Sequence, residues 1–599
     1  MVTTLSKIPK KEYDGTCRKL LLALDIGTTF SGVSYSILDP GTIPQARGVN
    51  SFPGQSEVGG DCKIPSVVLY NGDGTVRAVG SEVKLAKADL DEEEQDTVVE
   101  VRRFKLHLAP ESMRSAWIDD ASVPPLPLGK TAVDVVSDFL VYLYQCARKY
   151  IRASEPNGPA IMETIEDNID FILSHPNGWR GQQQADMRRA AIKAGLIPET
   201  ETGDSRLQFV TEGEASLHYC LDFVKDFGNI KVDSSVLIID AGGGTIDCSA
   251  YKFTDLSPVS ITEIAQPGCR LEGSESVTAR AITFLKEKFK GSPYVADVAV
   301  IGNRFDETVK RTFKDSNKAQ HVDFGRRSDH QPDLGITRGN LKLTGAEVES
   351  FFKPSLVAAI DEVKKQRDSA HPTHIQIAFM VGGFAANDWL FYQLREAMEQ
   401  EGIKLFRPHL YTNKAVAHGS VSSYFDHFVT ARITRETFGT IVATPFDPTN
   451  VTHILRKNQL YISPSGEALL PGAFQVIIKK GTVVTEDAEF SEYCVCTRHD
   501  PSTLDKLAAP ITCYRGGKRD IEWVDDDIDN FNILGVVTAD TSNLRYLLTP
   551  QIGMFGLPFY QVVFRIIFLC GKREMKAYIC WKENGVEKRS PATIVYTAE

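Results

Sequence analysis

An apolar run that ends in aspartate and reverses through glycine occurs twice in this chain, about 215 residues apart. The first copy is Leu21-Leu-Ala-Leu-Asp25-Ile-Gly27-Thr28-Thr29-Phe30, and the second is Leu237-Ile-Ile-Asp240-Ala-Gly242-Gly243-Gly244-Thr245-Ile-Asp247. Each reads as a strand, a tight reversal and a second strand: Leu20–Leu24 with Val33–Leu38, and Ser235–Asp240 with Cys248–Phe253. Alternating β and α elements around a repeated hairpin predict a duplicated α/β architecture with a site between its halves. Glycines at such a reversal let backbone N–H groups converge on an anion, and threonines add hydroxyl donors. An aspartate at the strand end can hold the waters around Mg²⁺, which is bound through few carboxylates and the phosphates of its substrate. The candidate phosphate-binding residues are therefore Gly27, Thr28, Thr29, Phe30, Gly242, Gly243, Gly244 and Thr245. Asp25 and Asp240 are the candidate metal residues, mainly through water, and Asp247 is a further acid. A third turn, Gly382-Gly383-Phe384, closes the buried run Ile377–Val381 and precedes a helix over Asn387–Gln400, so it could admit an adenosine ring or ribose.

The rest of the chain sorts into three stretches. Residues 1–18 are polar and basic and read as a disordered lead-in. From Lys19 to Tyr424 strands and helices alternate, with helices over Thr131–Ala153, Gly181–Gly195 and Glu214–Val224 and strands over Asp170–Ser174 and Leu207–Thr211. After Tyr424 short β-rich runs take over: Phe474–Ile478, Tyr493–Thr497, Ile511–Tyr514, Leu544–Leu548, Tyr560–Leu569 and Met575–Trp581. Asn584-Gly585 is a hairpin turn signal between the last of these and Thr593–Tyr596. Residues 425–599 thus read as an antiparallel β-sandwich.

A net charge of −11 without a long Lys/Arg block argues against nucleic acid or an anionic membrane as the main partner. No apolar run approaches the ~18 residues of a membrane span, since Asp25 ends one and Arg565 interrupts another. Eleven cysteines without a C-x-x-C, and a His371-Pro-Thr-His374 pair broken by Pro372, point to structural thiols rather than zinc. That pattern places the chain in a reducing compartment, the cytoplasm or the nucleus.

Several segments in a fixed order resemble the nucleotide-binding domain of the heat shock 70 kDa chaperone family, within the actin/sugar-kinase/chaperone superfamily. Both hairpins resemble its phosphate motifs, and Trp179–Leu196 its connecting helix. Thr211-Glu212-Gly-Glu-Ala-Ser216 resembles its N-E-P-T-A-A segment, and Glu307-Thr-Val-Lys310-Arg311-Thr312 its adenosine-clasping E-x-x-K-R-T. Met380-Val-Gly382-Gly383 and Ala415-Val-Ala-His-Gly419 complete the set. The resemblance implies a two-lobed actin-like ATPase domain over 19–424, with lobe I about 19–230, lobe II about 231–405 and a return to lobe I about 406–424. Over 425–599, Val476–Val483, Tyr560–Leu569 and Glu574–Tyr596 resemble the family's peptide-binding sandwich. The chain stops at Glu599, where the family's helical lid would begin, and Phe425–Thr430 stands where its acidic-hydrophobic linker would be. Phe384 replaces a usual serine, and Ala386 an adenine-contacting arginine. These departures are similar to the lidless heat shock 70 kDa protein 12 group.

The resemblance implies ATP/ADP and Mg²⁺ as cofactors and slow Mg-dependent hydrolysis of ATP. It also implies unfolded polypeptide or protein clients, with co-chaperones or exchange factors as further partners. Catalytic roles fall on Lys105, Glu212, Asp240 and Asp247, with Arg103 the rival to Lys105. Glu307, Lys310 and Arg311 would grip adenosine, with Gly382, Gly383 and Phe384 below it. Two other readings of the same fold stay open: a nucleotide-sensing scaffold with little turnover, and a small-molecule or sugar kinase.

Overall fold

Polar and apolar residues do not alternate in the strands that carry the two hairpins. Lys19–Asp25, Ile169–His175 and Ser235–Ala241 are buried along nearly their whole lengths, as strands covered on both faces must be. The computed structural model describes residues 10–55, 63–95, 97–110, 113, 123–179, 181–222, 230–408, 412–554, 556–570, 575–591 and 593–594. The chain is mixed α/β, with six sheets among those residues. It divides into two units, one of residues 1–179 and 183–429 and one of residues 430–599 with 180–182.

In the first unit, Lys19–Asp25 pairs antiparallel with Phe30–Leu38, then parallel with Ile169–His175, which pairs parallel with Leu207–Thr211. The second hairpin, Ser235–Ala241 with Ile246–Leu256, extends in the same way through Ile377–Val381 and Lys404–Phe406. Parallel pairing brings the carboxyl ends of successive strands to one edge, which is where ligands bind in open α/β sheets. Asp25 and Glu212 lie at that edge of one sheet, Asp240 and Gly382 at that edge of the other. Glu212 is placed there by the N-cap Thr211, whose Oγ1 accepts from Glu214 N at 3.2 Å. Each half has its own apolar core, with Leu22, Phe139 and Phe171 in one and Ile239, Phe305 and Phe352 in the other.

Part of the expected lead-in is tied down. Residues 1–9 lie outside the described residues, but Tyr13 N donates to Thr42 O at 2.8 Å and Tyr13 O accepts from Gly41 N at 2.9 Å. Tyr13 also packs against the buried cluster that contains Leu21, Leu38 and Val421, an apolar contact that the polar composition around it conceals.

Most strands of the second unit lie in two antiparallel sheets. One runs Tyr461–Ile462, Ala468–Ile478, Thr437–Pro445, Lys506–Tyr514, Phe531–Asp540. The other is built on Glu489–Arg498, Pro558–Cys570, Met575–Glu583 and Val586–Arg589. Side chains of both meet in one core, among them Ile511, Val537, Phe564, Ile566, Phe568 and Ile579. The expected strand Leu544–Leu548 is instead a 3₁₀ turn over Ser542–Tyr546. Asp540 Oδ1 accepts from Ser542 N at 3.0 Å and Thr541 Oγ1 donates to Leu504 O at 2.6 Å, so short polar side chains turn the chain out of the sheet. Asn584 (φ 52°) and Gly585 (φ 78°) form the expected tight turn, whose first return strand is Val586–Arg589, a charged edge with no apolar signal, while Thr593–Ile594 of the expected strand pairs with Lys576–Ala577. Among the described residues no helix is long and apolar enough to cross a membrane.

Helix Ala415–Asp426 lies against Glu212–Leu221 so closely that a Cβ on Gly419 would sit 1.7 Å from Ala215 O. Alanine normally favours a helix interior over glycine by roughly 0.5–1 kcal/mol. At this crossing the sign should invert. Gly419→Ala is expected to destabilise the first unit by about 1–3 kcal/mol, read as a lowered denaturation midpoint. A stabilised variant would contradict the close crossing.

Candidate functional site

The two hairpin turns, the turn at Gly382-Gly383-Phe384 and the start of helix Ser274–Lys288 border one cavity of about 600 Å³ in the first unit. The turns meet with almost no clearance. A Cβ on Gly243 would lie 2.2 Å from Thr29 Oγ1, and one on Gly244 would lie 2.4 Å from Thr28 Oγ1. The second turn is backed by Glu275 N, which donates to Gly243 O at 2.9 Å, and by Ser274 N, which donates to Gly242 O at 3.1 Å. Gly382 has φ +94°, and a Cβ there would meet Asp240 Oδ1 at 2.4 Å. Only glycine lets the third turn rest on the second hairpin.

The residues expected at the phosphate end come together here. Asp25, Gly27, Thr28, Thr29, Phe30, Lys105, Glu212, Asp240, Gly242, Gly243, Gly244 and Thr245 all line the cavity. Asp247 does not; it is fully buried behind the wall, in cross-strand register with Asp240. Lys105 Nζ donates to Glu212 Oε1 at 2.7 Å and lies 5.3 Å from the Trp179 ring centre. The rival, Arg103, adopts a left-handed backbone and pairs with Glu275. Lys105 is therefore the cation of the pair that lines the cavity.

Sequence reasoning missed the second cation. Lys63 Nζ donates to Asp25 Oδ2 at 2.9 Å, and Ser174 Oγ donates to Asp25 Oδ1 at 2.8 Å. Both Asp25 oxygens thus have donors, which makes Asp25 less open to the waters of a metal than its position at the strand end suggested. Burial works to raise the Asp25 pKa, but Lys63 and Lys105 outweigh it and hold the carboxyl below its usual range. Burial likewise opposes the charge on Lys63, and Asp25, Asp240 and Glu212 more than restore it.

The second hairpin is acid-rich. Burial, then Glu212 and Asp247, push Asp240 well above the usual carboxylate range, against Lys63 and a hydrogen bond from Ser216 Oγ at 3.0 Å. Burial and Glu212 push Asp247 up to about 7. Asp247 Oδ1 accepts from Asn177 N at 2.7 Å. Four acids thus face two lysines, an imbalance that a divalent cation would relieve. Among the described residues no three His, Cys, Asp or Glu side chains converge to hold a metal directly. The donor set suits a hydrated Mg²⁺ held through water and phosphate, centred on Asp240.

The base end departs from expectation. Helix Val298–Glu307 stops, and a separate helical turn Val309–Thr312 begins beyond Thr308, so Glu307 and Lys310 do not share one helix. Glu307 points to solvent beside Arg304, away from the cavity. Asp306 takes its place: it lines the cavity and pairs with Lys310, whose Nζ also donates to Thr278 Oγ1 at 3.0 Å and Ser274 O at 3.3 Å. Arg311 lines the cavity, as do Gly382, Gly383 and Phe384, although Phe384 is mostly committed to packing near Phe352. Arg407 supplies a guanidinium at this turn, donating to Ala385 O at 3.0 Å and Asp388 Oδ1 at 2.9 Å over the Phe391 ring. No sequence motif marks Arg407 or Lys63.

No protein-family model matches the chain. Over 490 residues, 68% of this chain and 69% of the relative, it is 21% identical to heat shock 70 kDa protein 12B of Homo sapiens. That identity supports a distant relationship to heat shock 70 kDa proteins.

The buried acids give a signed pH prediction. With a folded-state pKa of about 7 against an ordinary 3.8, Asp247 keeps in the folded chain a proton that the unfolded chain has released. Its burial therefore costs stability as pH rises from about 4 to about 7, and the cost is complete above that window. Asp247→Asn should be more stable than the parent at about pH 8, by an order of a few kcal/mol at most, and should lose the advantage near pH 4. Thermal unfolding across that range checks this. An advantage that does not change with pH would contradict the buried acid.

Proposed function

We propose that the cavity binds ATP and ADP with Mg²⁺, and that the chain is a slowly ATP-hydrolysing, chaperone-like protein of the heat shock 70 kDa type. The observation that carries this reading is the contact of Thr28 and Thr29 with Gly243 and Gly244 in front of an unbalanced cluster of buried acids. The distant relationship to heat shock 70 kDa protein 12B supports the same reading. On it, the first unit is a two-lobed actin-like ATPase domain and the second a β-sandwich that binds polypeptide or protein clients. The proposed compartment is the cytoplasm or nucleus.

In this reading each residue has a limited task. Thr28, Thr29 and Gly243–Thr245 hold the terminal phosphates. Magnesium, when bound, neutralises charge on those phosphates. Lys105 sets a positive charge beside the phosphoryl group, and its pairing with Glu212 fixes the ammonium in place. Asp240, which lines the cavity and is raised in pKa by burial first, can accept a proton from an attacking water, with Asp247 behind it in cross-strand register adding negative charge that favours that proton. Lys310, Arg311 and the third turn hold the base and ribose. Positioning and charge account for most of phosphoryl-transfer catalysis, so this set is sufficient in kind.

Two measurements test the reading. Calorimetric titration with ATP and ADP, paired with single-turnover hydrolysis, should show binding and turnover without any added acceptor. Asp240→Asn should fold normally and lose roughly 10²-fold or more in Mg-dependent hydrolysis. Unchanged turnover in that variant would falsify the assignment, and strict dependence on a small acceptor would favour a kinase. At the base end, Lys310→Ala should weaken ADP about tenfold and spare inorganic phosphate. Glu307→Ala should leave both affinities unchanged.

A further inference from the structure

The two hairpins match in backbone and differ in charge. Across from Asp240 the antiparallel register places Asp247; across from Asp25 it places Gly32. A Cβ on Gly32 would lie 3.5 Å from both Cγ and Cε of Lys63, so the lysine stem lies over the glycine on its way to Asp25. The first hairpin carries one acid with one base, the second two acids.

Lys63 is fixed to the first turn by its neighbours. Its carbonyl accepts from Gln55 Nε2 at 2.6 Å. The next residues, Ile64 and Pro65, pair with Ser31 and Phe30. Ser66 N donates to Thr29 O at 2.8 Å, and its hydroxyl donates to Gly27 O at 2.7 Å. The lysine thus moves with the phosphate turn, though it is far from it in sequence. Its ammonium lines the cavity, and among the described residues only Asp25 accepts a hydrogen bond from it. Lys105, by comparison, is held on Glu212.

We propose that Lys63 is a second phosphate-binding residue: a built-in cation at the first hairpin that holds the terminal phosphates of a nucleoside di- or triphosphate without metal. The inference rests on the nucleotide reading of the same cavity. Asp25 already accepts from Ser174 and Lys63, so a divalent cation is left to the Asp240 side. An ammonium with unused N–H donors beside Thr28 and Thr29 can form charge-assisted hydrogen bonds to phosphate oxygens. The site then has a cationic wall and an acidic wall, and the nucleotide retains affinity when the metal leaves.

The test is calorimetric titration of the full chain with ADP, in excess Mg²⁺ and in EDTA. It uses the parent, Lys63→Met, and the double variant Asp25→Asn/Lys63→Met, each checked for folding by circular dichroism and thermal unfolding. The double variant removes the ion pair as a unit and leaves no unpaired buried carboxylate. The parent should bind ADP in both buffers. Lys63→Met should lose about tenfold or more in EDTA and less than about threefold in Mg²⁺. The double variant should show the same loss in EDTA. Equal loss in the two buffers, no loss, or parent binding that disappears in EDTA overturns the role of Lys63. Recovery in the double variant also overturns it, because Lys63 would then act only by masking Asp25. No ADP binding by the folded parent in either buffer overturns the nucleotide reading, and the Lys63 assignment with it.

Discussion

Thr28 and Thr29 touch Gly243 and Gly244 with no room for a methyl group between them, and much of the first unit is arranged around that approach. Each turn closes a hairpin whose first strand is buried on both faces and flanked by a parallel neighbour. That pairing gathers Asp25, Glu212, Asp240 and Gly382 at the carboxyl edges of the two sheets. Three further close approaches repeat the device: Gly382 on Asp240, Gly273 on the Gly243 carbonyl, and Gly419 on Ala215. Glycine at these places serves contact between backbones rather than flexibility.

The same approach concentrates charge. Asp25, Glu212, Asp240 and Asp247 are all at most 9% exposed, and only Lys63 and Lys105 among the cavity's lysines answer them at the phosphate end. Burying an uncompensated carboxylate is costly, and the structure shows the response expected of it. Asp25, beside Lys63, stays below the usual range, whereas Asp240 and Asp247 rise above it. A core evolved for stability alone would favour well-packed apolar residues here. Retention of a proton-hungry pair beside a cavity of about 600 Å³ is a property of sites that hold charge for a ligand. The second unit has no comparable cluster among the described residues. Its buried arginine, Arg456, is answered by Asp525 and Asp526 and packs over Trp523.

The sequence by itself determined the two hairpins, their glycines and acids, the mixed α/β class and the β-rich character of the last stretch. These were legible because they depend on local chemistry: an apolar run long enough for a strand, glycine where the chain must reverse, and Asn-Gly at a tight turn. It was less informative where polar side chains redirect the backbone, as at Leu544, or where a charged edge strand such as Val586–Arg589 pairs without an apolar pattern. Glu307 faces away from the cavity because of a break at Thr308 that its run of helix-forming residues does not reveal. Only the tertiary structure decided that Asp306 faces Lys310, that Arg407 reaches the third turn, and that Lys63 lies over Gly32 onto Asp25. The physical reason is that a strand or a turn is specified by its own residues. The partner of a buried charge is specified by whichever distant segment the sheet register brings within about 3 Å of it.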